Sequence, residues 1–379
     1  MRLLKTLGPG FIAALTGFEI TNIVVFMKLG AVYGFSGFII AALMILPLTY
    51  LQQVILLAIN TPNENILMFL KKHRLLSLVF CYTISSAGLF TAYANLIGIS
   101  IILSIVYGSY WIHYAILFIA IVWLILSKTT LTSKILRILS FASLFLLVYV
   151  VLFILSANEL IKKPLVFEPI EYFDLLALWG ASAAPYSIII QMVDKESNYE
   201  SIYAGALTTA IISISVASIG FIYLYPVHTF VVADSLKPIF FFGRLTLTVY
   251  SIGLCSVVFL TLTSIYTASR IMTEEISCTK TIGMDTIFNY MLLLGVFLTF
   301  IIEHATLVRE EEVLYTSLII SSSAIIGVLF TGPLIVITLF YVISWLKYRE
   351  NVYFINMIYL LVLTIFSTII GVMGLIDLI

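Results

Sequence analysis

Thr16-Gly17-Phe18-Glu19-Ile20-Thr21-Asn22 lies about halfway along the first apolar run of the chain, 8–28, and sets an acid in the middle of a hydrocarbon-length helix. Its counterpart, Gly180-Ala181-Ser182-Ala183-Ala184-Pro185-Tyr186-Ser187, falls at the matching depth of the run 172–193. Pro185 carries no backbone N–H and clashes with the preceding turn, which frees carbonyls near Ala181. Inside a bilayer, such carbonyls survive only where protein covers them or a water-filled cavity solvates them. Two polar, breakable segments at corresponding depths therefore organise the reading of everything around them.

Outward from these segments the chain is apolar almost everywhere. Hydrophobic residues make up 62% of the 379 positions and charged residues 10%, where a soluble domain is near half apolar and about a quarter charged. A run of about 20 apolar residues at 1.5 Å each crosses a hydrocarbon core of about 30 Å. Such runs recur at 8–28, 35–59, 75–106, 110–127 and 135–157, then at 172–193, 202–232, 244–271, 284–303, 314–345 and 353–377. The run 314–345 is long enough to be read as two short spans. The formal net charge of +0 marks no nucleic-acid partner. Cys81, Cys255 and Cys278 lack the spacing of a redox or zinc motif. The fold class is an all-α polytopic membrane protein with the lipid bilayer as its partner, and no obligate protein partner is indicated.

The segment 158–171 is the longest polar interruption between spans. It divides the chain into a first five-helix repeat, 1–157, and a second, 172–345, with an eleventh transmembrane helix in 346–379. Five-plus-five spacing with discontinuous first helices is the signature of inverted repeats. With the amino terminus cytoplasmic, inside segments hold Arg2, Lys5, Lys71, Lys72, Arg74, Lys128, Lys134, Arg137, Lys195, Arg270, Lys280, Lys347 and Arg349. Outside segments hold Lys28, Lys162, Lys163, Lys237, Arg244 and Arg309. The bias follows the positive-inside rule and puts the carboxyl terminus outside a plasma membrane.

An intramembrane acid is a functional-site hypothesis by default, because burying it costs about 3 kcal/mol even on lenient scales. Glu19 is either that or a neutral, hydrogen-bonded structural carboxyl. Asn22 follows three residues on, so a helix would put both on one face. A carboxylate and an amide oxygen facing the same point make hard-cation ligands. Gln52 in span 2 either bonds a neighbouring helix or contacts an ion. Thr331 beside Gly332-Pro333 either lines the path or packs, and Asn95 either faces the same cavity or bonds a neighbour. No H-E-x-x-H helix or protease-like acid pair is present, so no enzyme is read here.

At these residues the chain resembles the natural resistance-associated macrophage protein (NRAMP) family of divalent-metal transporters. That family opens with G-P-G-F followed by D-P-G-N. Here Gly8-Pro9-Gly10-Phe11 is followed at the same distance by Glu19-Ile20-Thr21-Asn22. The family's helix 6 segment G-A-x-x-M-P-H-N aligns with Gly180 to Ser187, and its helix 3 segment T-D-L-A-E-V-I-G-T-A with Thr91 to Ser100. The resemblance, running from residue 8 to about 340, implies a LeuT-like fold with a metal held between helices 1 and 6. It implies Glu19, Asn22 and Ala181 as metal donors, lined by Ala184, Pro185, Tyr186, Ser187 and Asn95. Ala184 stands where the family has a methionine, and without that thioether the set suits Mg²⁺, Mn²⁺ or Ca²⁺ over softer metals. The family's helix 3 acids become Ala92 and Asn95 and its helix 6 histidines Tyr186 and Gln191, which removes the titrating groups of a proton route. This pattern looks like the NRAMP-related magnesium transporters. The resemblance implies divalent-metal transport by alternating access without proton coupling, with the metal as cargo and no cofactor. A LeuT-fold transporter of a small organic solute and a non-transporting NRAMP-like receptor are the alternatives.

Overall fold

The computed structural model describes residues 20–60, 65–107, 147–183, 199–240 and 312–377. These form helices α1 (Ile20–Asn60), α2 (Ile66–Lys72), α3 (Arg74–Tyr107), α4 (Leu147–Lys162) and α5 (Tyr172–Ala183). They continue with α6 (Tyr199–Ile219), extended by a π turn over Gly220–Leu224, then α7 (Val232–Phe240), α8 (Glu312–Tyr348) and α9 (Asn351–Ile376). Among the described residues the only β pairing is an isolated bridge between Gly34 and Phe167. Among the described residues, four segments are long and apolar enough to cross a membrane: Ile20–Met44, Ala204–Leu224, Thr316–Tyr348 and Asn351–Ile376.

The last helix shows what solvent surrounds the bundle. Along α9, Asn356, Leu360, Leu363, Ser367, Ile370 and Gly374 are buried at alternating three- and four-residue steps, one stripe of a helix. Its remaining faces expose Ile355, Ile358, Leu361, Val362, Ile365, Ile369 and Val372. A soluble helix would carry charge there; apolar residues on the outer face match hydrocarbon.

α8 lies at the centre, packed along α3, α5 and α9. It runs unbroken through Pro333 for 37 residues, so the run 314–345 is one helix. Its crossing with α5 brings backbones into contact. A Cβ on Gly180 would fall 1.7 Å from the Ser323 carbonyl oxygen and 2.6 Å from the Gly327 nitrogen. Small residues permit that approach, which is how helices gain contact where no hydrophobic effect drives them together.

Three expectations change here. The loop read between spans 1 and 2 is absent: α1 is two helical arms joined at the single residue Gly34, with φ 56° and ψ −125°. Those angles suit the first central position of a type II′ turn, which only glycine adopts without strain. The run 202–232 overshoots, because helix ends at Leu224 and the chain turns through a cis Tyr225-Pro226 peptide. Apolar 227–231 is connecting chain, and the amphipathic α7 that follows has no counterpart among the expected spans. The runs 110–127, 244–271 and 284–303 lie outside the described residues, as do parts of 135–157 and 172–193.

The two ends of the bundle differ. At one, the segment after α4 clasps α1 to α6. The Glu168 N–H donates to Ser36 Oγ at 2.7 Å, Tyr225 Oη donates to the Glu168 carboxylate at 2.8 Å, and Lys163 Nζ donates to the Tyr225 carbonyl at 3.3 Å. The Tyr172 N–H reaches Asp377 Oδ2 at 3.0 Å, which brings the last turn of α9 to this end. At the other end Tyr341 Oη donates to the Val54 carbonyl at 2.6 Å, and the Phe69 and Phe340 rings meet at 5.6 Å. Lys71, Lys72, Arg74, Lys347 and Arg349 gather there.

Candidate metal centre

The first arm of α1 and the short α5 run antiparallel, fastened by a buried ion pair. Lys28 Nζ lies 2.6 Å from Asp174 Oδ1, and Tyr33 Oη donates to Asp174 Oδ2 at 2.7 Å. The Asp174 side chain is 2% exposed and that of Lys28 22%. Both carboxylate oxygens are thus engaged, which is what a buried anion requires. No expectation paired these residues, yet oppositely charged side chains in the opening helices of the two halves were the available signal.

This pair sets the register of the centre. From Lys28 inward to Asn22 is about 9 Å along α1, and from Asp174 inward to Ala181 about 10 Å along α5, at 1.5 Å per residue. Asn22 and Ala181 therefore lie at similar distances inward from the pair, on adjacent arms. Asn22 is 3% exposed and Ala181 4%. A helix would pass the Ala181 carbonyl to the amide of residue 185, and a proline there has none to give. Asn22 Oδ1 accepts from Thr21 Oγ1 at 3.2 Å. Ser182 Oγ on α5 and Ser323 Oγ on α8 are buried with no hydrogen-bond partner among the described residues.

Among the described residues neither expected break appears. Helix is already established at Ile20, so Thr21 and Asn22 are helical rather than part of an interruption spanning 19–22. α5 likewise stays helical through Ala183. The Ile20 amide donates to Asn95 Oδ1 at 3.0 Å. Asn95 also donates to the Thr91 carbonyl at 2.9 Å. Its side chain is bonded to a neighbouring helix, the second of the two roles left open for it.

Thr331 Oγ1 pairs with Ser367 Oγ at 2.8 Å, and Ser367 accepts from Trp179 Nε1 at 2.9 Å. This places Thr331 in a polar chain joining α5, α8 and α9. Gln52 lies on the second arm of α1. Glu19, Ala184, Pro185, Tyr186 and Ser187 lie outside the described residues, as does the side chain of Gln52. Among the described residues no cluster of three or more His, Cys, Asp or Glu could hold a metal. The donors there are an amide oxygen, a carbonyl and hydroxyls.

No protein-family model matches the sequence, and no curated protein matches it. Solved structures do. The manganese transporter of Eremococcus coleocola, in complex with an aromatic bis-isothiourea substituted compound, is 14% identical, with a TM-score of 0.65 over 98% of this chain and 87% of that one. A mutant of the same transporter is 12% identical, with a TM-score of 0.70 over 99% and 86%. At such identity the likeness is one of architecture: along nearly its whole length, this chain folds like a bacterial manganese transporter.

Proposed function

We propose that this protein carries a hard divalent cation, Mn²⁺ or Mg²⁺, across the plasma membrane by alternating access between two inverted five-helix repeats. The observation that carries the reading is the buried Lys28–Asp174 pair, which fastens together the antiparallel opening arms that bear Asn22 and Ala181, in a chain folded like a manganese transporter. Glu19 supplies the carboxylate, Asn22 the amide oxygen and Ala181 the carbonyl. Water fills the remaining positions, as it does around hard cations bound by few protein ligands. The unused hydroxyls of Ser182 and Ser323 support a hydrated centre, since such groups bind ordered water elsewhere. The donor set contains no thioether, which favours Mn²⁺ and Mg²⁺ over softer ions. Asn95, an amide bonded to Ile20 and Thr91, supports transport without proton coupling, because it does not titrate.

The orientation follows from charge. Lys71, Lys72, Arg74, Lys347 and Arg349 lie at one end of the bundle, and Glu159, Glu168, Glu171 and Asp377 offset Lys162 and Lys163 at the other. The basic end faces the cytoplasm by the positive-inside rule, and the carboxyl terminus lies outside.

Proteoliposomes loaded with a metal-sensing dye test the function. Mn²⁺ entry is expected from wild-type protein, is lost in Glu19→Ala, and proceeds without acidification of an enclosed pH dye. Wild-type rates in Glu19→Ala would remove the site; metal-dependent acidification would remove the uncoupled mechanism.

A further inference from the structure

The hydrogen bond from Ile20 to Asn95 is one of two grips that α3 has on the same residue. Thr91, Asn95 and Gly98 lie four and three residues apart, on one face of α3. One turn beyond Asn95, a Cβ on Gly98 would fall 2.4 Å from Ile20 Cγ1 and 2.8 Å from its Cγ2. The isoleucine side chain rests on the bare backbone of that glycine while its amide is held by the asparagine. Ile20 and Asn95 are both fully buried.

We propose that Asn95 and Gly98 form a socket for Ile20 that positions the neighbouring donors Glu19 and Asn22, making Asn95 a positioning residue for the metal rather than a ligand. The inference rests on the site reading given above. The orientation of the Asn95 amide is fixed by its partners. Reversed, its NH₂ would face the Ile20 N–H and its oxygen the Thr91 carbonyl, two like pairs in place of two hydrogen bonds. Its oxygen is therefore turned to the Ile20 amide, which takes one of its two lone pairs and competes with any cation for it. An amide serves both partners at once, whereas an ionised carboxylate would accept from Ile20 but give nothing to Thr91. Since an amide does not titrate, the grip on Ile20 is the same across physiological pH.

The test is Mn²⁺ binding by calorimetry on the purified full chain, with a melting curve for each variant. Asn95→Leu keeps the volume and removes the acceptor, and is expected to weaken binding about tenfold. Asn95→Asp keeps an acceptor for Ile20 and is expected to stay within about threefold of wild type. Gly98→Ala, which pushes Ile20 out of its seat, is expected to weaken binding like Asn95→Leu. Glu19→Ala separates this claim from the site itself. Loss of binding there, with wild-type affinity in Asn95→Leu and Gly98→Ala, overturns the socket and leaves the site standing. A lowered melting point in those variants with unchanged affinity likewise overturns it. Retained binding in Glu19→Ala removes the site, and the socket's role with it. Where Asn95→Leu yields no folded protein, Gly98→Ala decides on the same two outcomes.

Discussion

Removing Lys28 should cost far more than removing both members of its ion pair. In Lys28→Met the Asp174 carboxylate keeps only the Tyr33 hydroxyl as a partner, while remaining 2% exposed. Breaking a buried pair by deleting one partner costs about 3–5 kcal/mol. Lys28 is 22% exposed, so solvent already screens part of the attraction, and an estimate of about 2–3 kcal/mol is appropriate. Asp174→Asn should cost less, about 1 kcal/mol, because the amide oxygen still accepts from Tyr33 and the lysine can extend its stem to water. The double variant leaves no uncompensated charge and should cost about 1–1.5 kcal/mol, giving a coupling near 2 kcal/mol in the cycle. Equilibrium unfolding in detergent would measure it, with the buried Trp179 indole, five residues along α5 from Asp174, as the reporter. Additive single effects, within about 0.5 kcal/mol, would refute the claim that this pair fastens the two arms.

Gly34→Ala should destabilise the fold by about 2 kcal/mol or more, because φ 56° combined with ψ −125° is a conformation that L residues avoid and a Cβ would lie 2.8 Å from the Tyr225 ring; a thermal melt checks it. The Tyr225 phenol is held above its ordinary value, first by donating its proton to Glu168, then by burial and the Glu168 charge. A raised value favours the protonated phenol, so its contribution is present in full below about pH 10 and is lost as pH climbs through the folded value. Melts from neutral to strongly alkaline pH should show that loss in wild type and not in Tyr225→Phe. Ala184→Met should raise Cd²⁺ affinity relative to Mn²⁺ by about tenfold in competition calorimetry, since a thioether favours the softer ion.

Hydropathy located the second arm of α1 and helices α3, α8 and α9 to within a few residues, because a bilayer demands long uninterrupted apolar runs. The run 314–345, read as one span, is one helix continuous through Pro333, although composition by itself reports apolarity and not helix continuity. The stretch after Leu224 misled because Val227, Phe230 and Val231 are apolar without being helical, while Pro226 was the better witness. The corner at Gly34 was invisible because one glycine between two apolar helices looks like part of any loop. Asn22 and Ala181 stand out in the sequence through a polar residue and a nearby proline in apolar surroundings, and the fold sets them on adjacent helices. The partnership of Lys28 with Asp174 and that of Asn95 with Ile20 depend on contacts 146 and 75 residues apart, which no local pattern encodes.

The corner at Gly34 also governs how force travels through the protein. A junction one residue long has no slack, so the first arm of α1 swings from it as a crank rather than trailing from a tether. Phe167, Glu168 and Tyr225 clasp that corner and make it the fulcrum of the arm. At 1.5 Å per residue Ile20 lies about 20 Å from it, so a swing of about 10° about the corner would carry Ile20 about 3.5 Å. Such a displacement exceeds the 3.0 Å reach between Ile20 and Asn95, so the socket on α3 holds only while the arm keeps its angle.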